Sequence, residues 1–286
     1  MIFDSLILSA VIDELTRILT GGKIEKITQP TPLDVVIRVF TNNGKYDLLF
    51  SSDADFARTH LTWVKRENPP QPYAFCALLR KHVDGARVTG FERPSGFGER
   101  ILVVRLTTYE GTPFSLVVEI MGRHSNIVLL NGAEMILGAT KHVSSEINRY
   151  REILPGLAYT PPPRQRGKID PLELYAGDEV PLTDAEGESW LVQKFAGVSP
   201  MLAHEIAVRT KERSQNLTQE SLWQCLSDTL SVVRTGDFAP IVWTDDAGTT
   251  LGAYPIHLHS VPDGNQHDRP SISVALDNAS DWLCLV

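Results

Sequence analysis

The feature that most constrains the fold is a series of short β-branched and aliphatic runs, each closed by turn residues. Val35-Val36-Ile37-Arg38-Val39-Phe40 and Tyr46-Asp47-Leu48-Leu49-Phe50 flank Asn42-Asn43-Gly44, a hairpin signal because Asn and Gly accept the positive φ that tight hairpin turns require. Further runs of strand type lie at Lys23–Thr28, Arg87–Phe91, Ile101–Thr107, Phe114–Ile120 and Asn126–Leu130. Two segments have helical spacing instead. Phe3 to Leu19 places apolar residues on one face and stops at Gly21-Gly22, and Tyr73 to Val83 follows the breaker Pro69-Pro70-Gln71-Pro72. Strands with a few helices packed on them predict the α+β class.

Composition shifts near Tyr159. Pro161-Pro162-Pro163, followed by Arg164 and Arg166, reads as an extended basic spacer or surface arm. An acidic stretch then leads to a helical segment, Glu186 to Val233, in which Val192 to Pro200 separates two helices. Gly197 marks the turn, Ser199 suits a cap and Pro200 the first helical position. After Gly236 strand patterns return at Ile241–Trp243 and Tyr254–Leu258. The simplest organisation is a β-rich domain over residues 1–175, a helical insert over 176–235, and a second part of the β-rich domain over 236–286.

A net charge of −8 argues at first against a nucleic-acid partner, but the charge is segregated. Phe56 to Arg105 holds nine Lys/Arg against four Asp/Glu, and Lys141 to Lys168 holds six against two; Asp170 to Trp190 holds seven acids and no base. From Asp237 onward there are seven acids and only Arg269. Such a distribution allows either a basic binding face or an ordinary solvated surface. No apolar run has bilayer length and the N-terminus lacks the pattern of a signal peptide, so a cytoplasmic protein without a membrane partner is expected. Cys76, Cys225 and Cys284 are isolated in sequence and are expected to be buried free thiols.

No nucleophile elbow, HExxH or Walker loop is present. His257 and His259 alternate as a metal pair would, without a third ligand at a typical spacing, a pattern more usual for surface or core histidine. Two constellations stand out. Met121-Gly122-Arg123-His124-Ser125-Asn126 lies where one strand hands over to the next, either as a polar turn or as a functional loop on a rigid sheet. The helix–Gly197–helix unit resembles a helix-hairpin-helix, whose helix N-terminus favours a phosphate; an ordinary αα-hairpin has the same pattern.

Several blocks occur in a telling order: Pro72 to His82 with Arg80-Lys81-His82, then Glu99-Arg100-Ile101, Glu119-Ile120-Met121-Gly122-Arg123-His124-Ser125-Asn126-Ile127, Tyr150 to Pro163, and Phe195-Ala196-Gly197-Val198-Ser199-Pro200. Together they resemble the N-terminal part of the NFACT family, long labelled fibronectin-binding protein A-like. The resemblance implies a β-rich domain akin to the N-terminal domain of formamidopyrimidine-DNA glycosylases, with an inserted helix-hairpin-helix domain. It also implies the work of the bacterial ribosome quality-control factor, which binds a stalled large ribosomal subunit and tRNA and supports alanine tailing of the nascent chain. Neither cofactor nor metal is implied, and the family label adds fibronectin as a partner.

On this resemblance Glu99-Arg100 matches an acid–Arg pair that contacts tRNA, with Glu where most members have Asp. Arg80, Lys81, Arg123, His124, Asn126 and Gly197 complete the expected nucleic-acid-binding set. Most members continue into a coiled coil and a second nucleic-acid-binding domain, whereas this chain ends at Val286 as a fragment or a short member. The runner-up expectation, a fibronectin-binding surface adhesin, finds no export signal to support it. The glycosylases attack through an N-terminal proline amine, and this chain begins Met1-Ile2-Phe3, so no enzyme activity is expected. Incubation with lesion-containing DNA should leave the strands intact; cleavage would refute that expectation.

Overall fold

The computed structural model describes residues 2–174, 186–214 and 217–280. They form two compact units. The first gathers Val11–Pro94 and Ile101–Pro163; the second gathers Ile2–Ala10, Ser95–Arg100 and the described residues from Arg164 onward.

The first unit is one nine-stranded antiparallel sheet. Helix α1 (Ser5–Leu19), whose first turns belong to the second unit, precedes a meander of β1 (Lys23–Thr28), β2 (Asp34–Thr41), β3 (Gly44–Ser51) and β4 (Arg58–Thr62). Helix α2 (Ala74–Val83) precedes another: β5 (Arg87–Glu92), β6 (Ile101–Thr107), β7 (Pro113–Glu119), β8 (Asn126–Asn131) and β9 (Ile136–Ala139). The meanders join through β1 and β5, giving the order β4-β3-β2-β1-β5-β6-β7-β8-β9. Each expected hairpin forms in register, Val39 opposite Tyr46 and Val117 opposite Val128. Strands β4 and β9 were not expected: Arg58-Thr59-His60 offers no alternating pattern, and Ile136–Ala139 is too short to show one.

The sheet curls until the end of β3 approaches the end of β9. Ser52, just after β3, shares a 3.1 Å hydrogen bond with Thr140, just after β9, and its carbonyl accepts from Lys141 Nζ at 2.6 Å. The chain beyond β9 then doubles back as an arch, anchored by isolated bridges between Val143 and Ile153 and between Met135 and Ala158. Beneath the arch, Ile101, Val103, Val117, Val128, Leu130, Ile136 and Ile153 form a buried cluster with Val143 and Tyr159 packed against it.

The second unit is helical with a small sheet. The helical segment divides into three helices rather than two: α3 (Gly187–Lys194), α4 (Pro200–Arg213) and α5 (Gln219–Thr235). Ser199 and Thr218 cap α4 and α5 by accepting from Leu202 N and Ser221 N at 3.1 Å each. Trp190, Phe195 and Trp223 pack between them, the first pair edge-on at 5.4 Å and the second stacked at 5.1 Å. Strands β10 (Ile241–Thr244), β11 (Thr250–Tyr254) and β12 (Gln266–Asp268) and helix α6 (Ile272–Ser280) complete the unit. The strand expected over Tyr254–Leu258 instead ends at Tyr254, because Pro255 has no N–H for a ladder. Asp4 ties the unit together: its carboxylate caps α1 through Leu6 N and Ile7 N and accepts from Ser199 Oγ at 2.7 Å and Tyr254 OH at 2.9 Å. Burial beside this carboxylate pushes the Tyr254 hydroxyl well above its ordinary pKa. Cys76 and Cys225 are buried and free, as expected; Cys284 lies outside the described residues. No helix among the described residues is long and apolar enough to cross a membrane.

His60 on β4 is fully buried, its Nδ1 2.8 Å from the Leu61 carbonyl and its Nε2 accepting from Arg58 Nε at 3.3 Å. Burial and the Arg58 charge hold its pKa down to about 3. The unfolded chain takes up this proton near pH 6.5, so stability is lost as pH falls below that value, by about 2 kcal/mol between pH 7 and pH 5. Urea denaturation at the two pH values should show the loss, and His60→Gln should remove that share of it; an unchanged pH dependence in the variant would contradict this origin.

Candidate nucleic-acid interface

In the first unit the loop between β7 and β8 is a tight turn. Gly122 adopts φ +55°, Met121 N donates to Ser125 Oγ at 2.8 Å, and Ser125 N donates to the Gly122 carbonyl at 2.9 Å. Asn126 then spends its whole amide inside the protein. Its Oδ1 accepts from Ile127 N, Thr140 Oγ1 and Lys141 N at 2.9–3.0 Å, and its Nδ2 donates to the Lys141 carbonyl at 2.8 Å. With Ser125 and Asn126 buried, the turn pushes Arg123 and His124 into solvent, Arg123 Nε donating to His124 Nε2 at 3.0 Å.

These two residues overhang a groove of about 470 Å³ whose other walls carry Lys141, His142, Arg149 and Ile147. Burial lowers the Lys141 pKa, partly offset by Asp53. The one acid lining the groove among the described residues is Glu119, the last residue of β7 and fully buried. Its charge is already met: Arg151 Nη1 and Nη2 reach Glu119 Oε1 and Oε2 at 2.6 Å each, and Tyr159 OH donates to Oε1 at 2.7 Å. Burial works against the Arg151 charge, but the hydrogen bonds and attraction of Glu119 outweigh it and its pKa is raised. Burial beside the same carboxylate raises the Tyr159 hydroxyl. The groove therefore presents cations with its internal acid neutralised, a surface suited to phosphate.

The other expected site residues lie elsewhere. Arg80 and Lys81, exposed on α2, are apart from this groove: Arg80 Nε donates to the Ile27 carbonyl at 2.9 Å, and Lys81 lines another groove with Lys23 and Arg87. Glu99, Arg100 and Gly197 belong to the second unit. Glu99 is buried and accepts from Gln165 N at 3.2 Å, while Gln165 Nε2 holds the Gly98 carbonyl at 2.9 Å; Arg100 is half-buried. Gly197 has φ +77°, and a Cβ there would lie 2.3 Å from the Phe97 carbonyl oxygen. The hairpin at Gly197 thus packs on the strand entry that carries Glu99 and Arg100.

Lys141, His142 and Arg149 escaped residue-by-residue reading; the excess of bases from Lys141 to Lys168 was their one trace. Arg151 and Tyr159 sat in a recognised block without a role, since their partner Glu119 is 32 and 40 residues away.

Arg151→Met, which leaves the Glu119 carboxylate buried and unpaired, should cost about 3–5 kcal/mol of stability in urea denaturation. The double variant Glu119→Gln/Arg151→Met should be the more stable of the two. Gly197→Ala should cost about 2–4 kcal/mol, from positive φ and the carbonyl clash together.

The family model described as NFACT N-terminal and middle domains matches residues 4–278. The Rqc2 homolog RqcH of Bacillus subtilis (strain 168) is 38% identical over 217 residues, covering 73% of this chain and 38% of that protein. The protein of the same name from Streptococcus pneumoniae serotype 2 is 30% identical over 259 residues, covering 87% and 45%. The chain therefore spans less than half the length of these relatives. The structure of the N-terminal part of the fibronectin/fibrinogen-binding protein from Streptococcus suis superposes with a TM-score of 0.78 at 27% identity, covering 99% of both chains. The fibrinogen binding protein from Staphylococcus aureus shares the fold, with a TM-score of 0.80 at 24% identity over 97% of this chain and 98% of that one. With an α+β fold matching these structures and a family match over nearly its whole length, this chain belongs to the NFACT family, of which it carries the N-terminal and middle domains.

Proposed function

We propose that this chain is the RNA-binding module of a ribosome quality-control factor, and that it binds tRNA and the stalled large ribosomal subunit in support of alanine tailing. The observation that carries the reading is the groove under the β7–β8 loop, where Arg123, His124, Lys141, His142 and Arg149 converge and the acid is internally paired. The relatives named RqcH supply its context. Arg123 and His124 contact RNA in this reading, and Asn126 positions them. Glu99-Arg100 supplies a second contact from the other unit, with the Gly197 hairpin bracing it; Arg80 and Lys81 serve as outlying phosphate contacts. The module binds and carries no catalytic step.

RNA binding through Arg–phosphate contacts weakens steeply with salt. Fluorescence anisotropy with labelled total tRNA between 50 and 250 mM salt should show this. Arg123→Ala and Arg100→Ala should each weaken binding and reduce the log–log salt slope by about one. Binding that all variants retain unchanged would remove these residues from the site. The name of the Streptococcus suis relative favours a second reading, binding of fibronectin or fibrinogen. Immobilised fibronectin in the same assay decides: tight, salt-insensitive capture together with absent tRNA binding would replace the RNA reading.

A further inference from the structure

A second basic surface in the first unit has no part in the groove just described. Alternation, reset in β1 by a register shift between Ile24 and Lys26, sends Ile24, Ile27, Val35, Ile37 and Val39 inward, which leaves Lys23, Lys26, Val36, Arg38 and Phe40 on the outer face of β1 and β2. The pairing register lines them up: Lys23 opposite Phe40 on one side and Arg87 on the other, and Lys26 opposite Arg38. Arg38 is neutralised by a bidentate pair with Asp47 at 2.7 Å, and Lys45 is paired with Glu25. Lys23, Lys26, Lys65, Arg66, Lys81 and Arg87 have no such ion pair among the described residues. Lys26, Lys65 and Arg66 line one shallow groove with Arg38 and Val36. Lys23, Lys81 and Arg87 line the next, three bases against the acids Asp84 and Glu110, with Tyr109 at the tip of the β6–β7 hairpin. Lys23 and Lys26 lie three residues apart on β1, so the two grooves form one track along that strand.

The track also carries aromatic surface that the fold leaves in water. Phe40 is 49% exposed and Tyr109 wholly exposed. Tyr109 is held out by a closed turn in which Gly111 N donates to the Thr108 carbonyl and Thr112 N to Thr108 Oγ1. Unpaired cations spaced along an open sheet face, with exposed rings between them, are what an extended polynucleotide requires: phosphates meet the cations and bases stack on the rings. An acidic peptide would use the cations and leave the rings idle.

We propose that the outer face of β1, β2 and β5 is a binding surface for single-stranded nucleic acid, separate from the Arg123 groove. Lys26, Lys65 and Arg87 track the backbone, and Phe40 and Tyr109 stack bases. A second polynucleotide surface lets one chain hold an unpaired strand while the first groove is occupied.

The test uses the whole chain and a labelled 15-nucleotide polyuridylate, which has no structure of its own, followed by anisotropy at 50 mM salt. The expected result is saturable binding that Phe40→Ala/Tyr109→Ala weakens by roughly 10-fold or more, that Lys26→Glu/Lys65→Glu also weakens, and that Arg123→Ala weakens less than either. Both aromatic positions are exposed, so the aromatic variant should melt like the parent. Absent binding, or binding lost in Arg123→Ala and kept in the aromatic variant, overturns the proposal. So does polyglutamate competing as well as polyuridylate, which would mark the face as a site for acidic peptide. Since tRNA binding is read separately through Arg123 and Arg100, failure of that reading leaves this result interpretable.

Discussion

The arch over β6 to β9, and with it the groove, depends on the buried pair of Glu119 and Arg151. Apolar residues of the arch, chiefly Ile153 and Val143, supply area to bury, but burial is non-directional and tolerates many placements. The ion pair does not. Removing both charges from water is expensive, and the attraction offsets this only when the geometry is bidentate and the remaining polar atoms are satisfied. Here both carboxylate oxygens are used, Tyr159 adds a third donor, and Arg151 also holds the Thr160 carbonyl at 3.1 Å. One register of the arch meets those demands, and in that register Lys141, His142 and Arg149 wall the groove.

The same division of labour recurs. Asn126 and Asp4 are polar, buried and fully bonded, each engaging four partner groups. Their cost of burial is offset by hydrogen bonds that only one arrangement of the backbone provides. The side chains of Arg123 and His124, one and two residues after the Gly122 turn, are exposed, and the hydrogen bond they make is to each other. Within a single motif, then, some polar residues hold the loop and others are held out by it. Their identity as a motif says nothing about which is which; burial does.

Much of the sheet was legible because a half-buried antiparallel strand writes its fold locally. The Asn42–Gly44 hairpin is settled by alternation in β2 and by turn chemistry, and the runs at Ile101–Thr107 and Asn126–Leu130 by continuous β-branched and aliphatic residues that end at turns. Strand β4 was illegible because its buried residues are Arg58, Thr59, His60 and Thr62 around the single apolar Leu61, so it shows neither alternation nor an apolar run. Helix α6 went unread because Ser and Asn dilute its apolar face. The exposed half of the candidate site, Arg123 and His124, was visible as a motif. The groove walls were not, since they depend on pairs such as Glu119 with Arg151 and Asn126 with Lys141 that are distant in sequence. Local pattern carries no information about which distant residues will pair, and the functional surface is built from such pairs.

Charge distribution explains why a chain of net −8 presents basic surfaces at all. At physiological salt a charge is screened beyond about 8 Å, so an approaching phosphate responds to its nearest neighbours more than to the sum. In the first unit several acids are engaged by cations of their own: Asp47 by Arg38, Glu25 by Lys45, Glu119 by Arg151. The Arg123 groove is lined by no acid but the paired Glu119 among the described residues, the Lys23 groove also carries Asp84 and Glu110, and the long acidic runs belong to residues from Asp170 onward. A formal count treats all of these charges alike. The structure separates those that neutralise one another from those left to meet a ligand, and in the Arg123 groove the second group is positive.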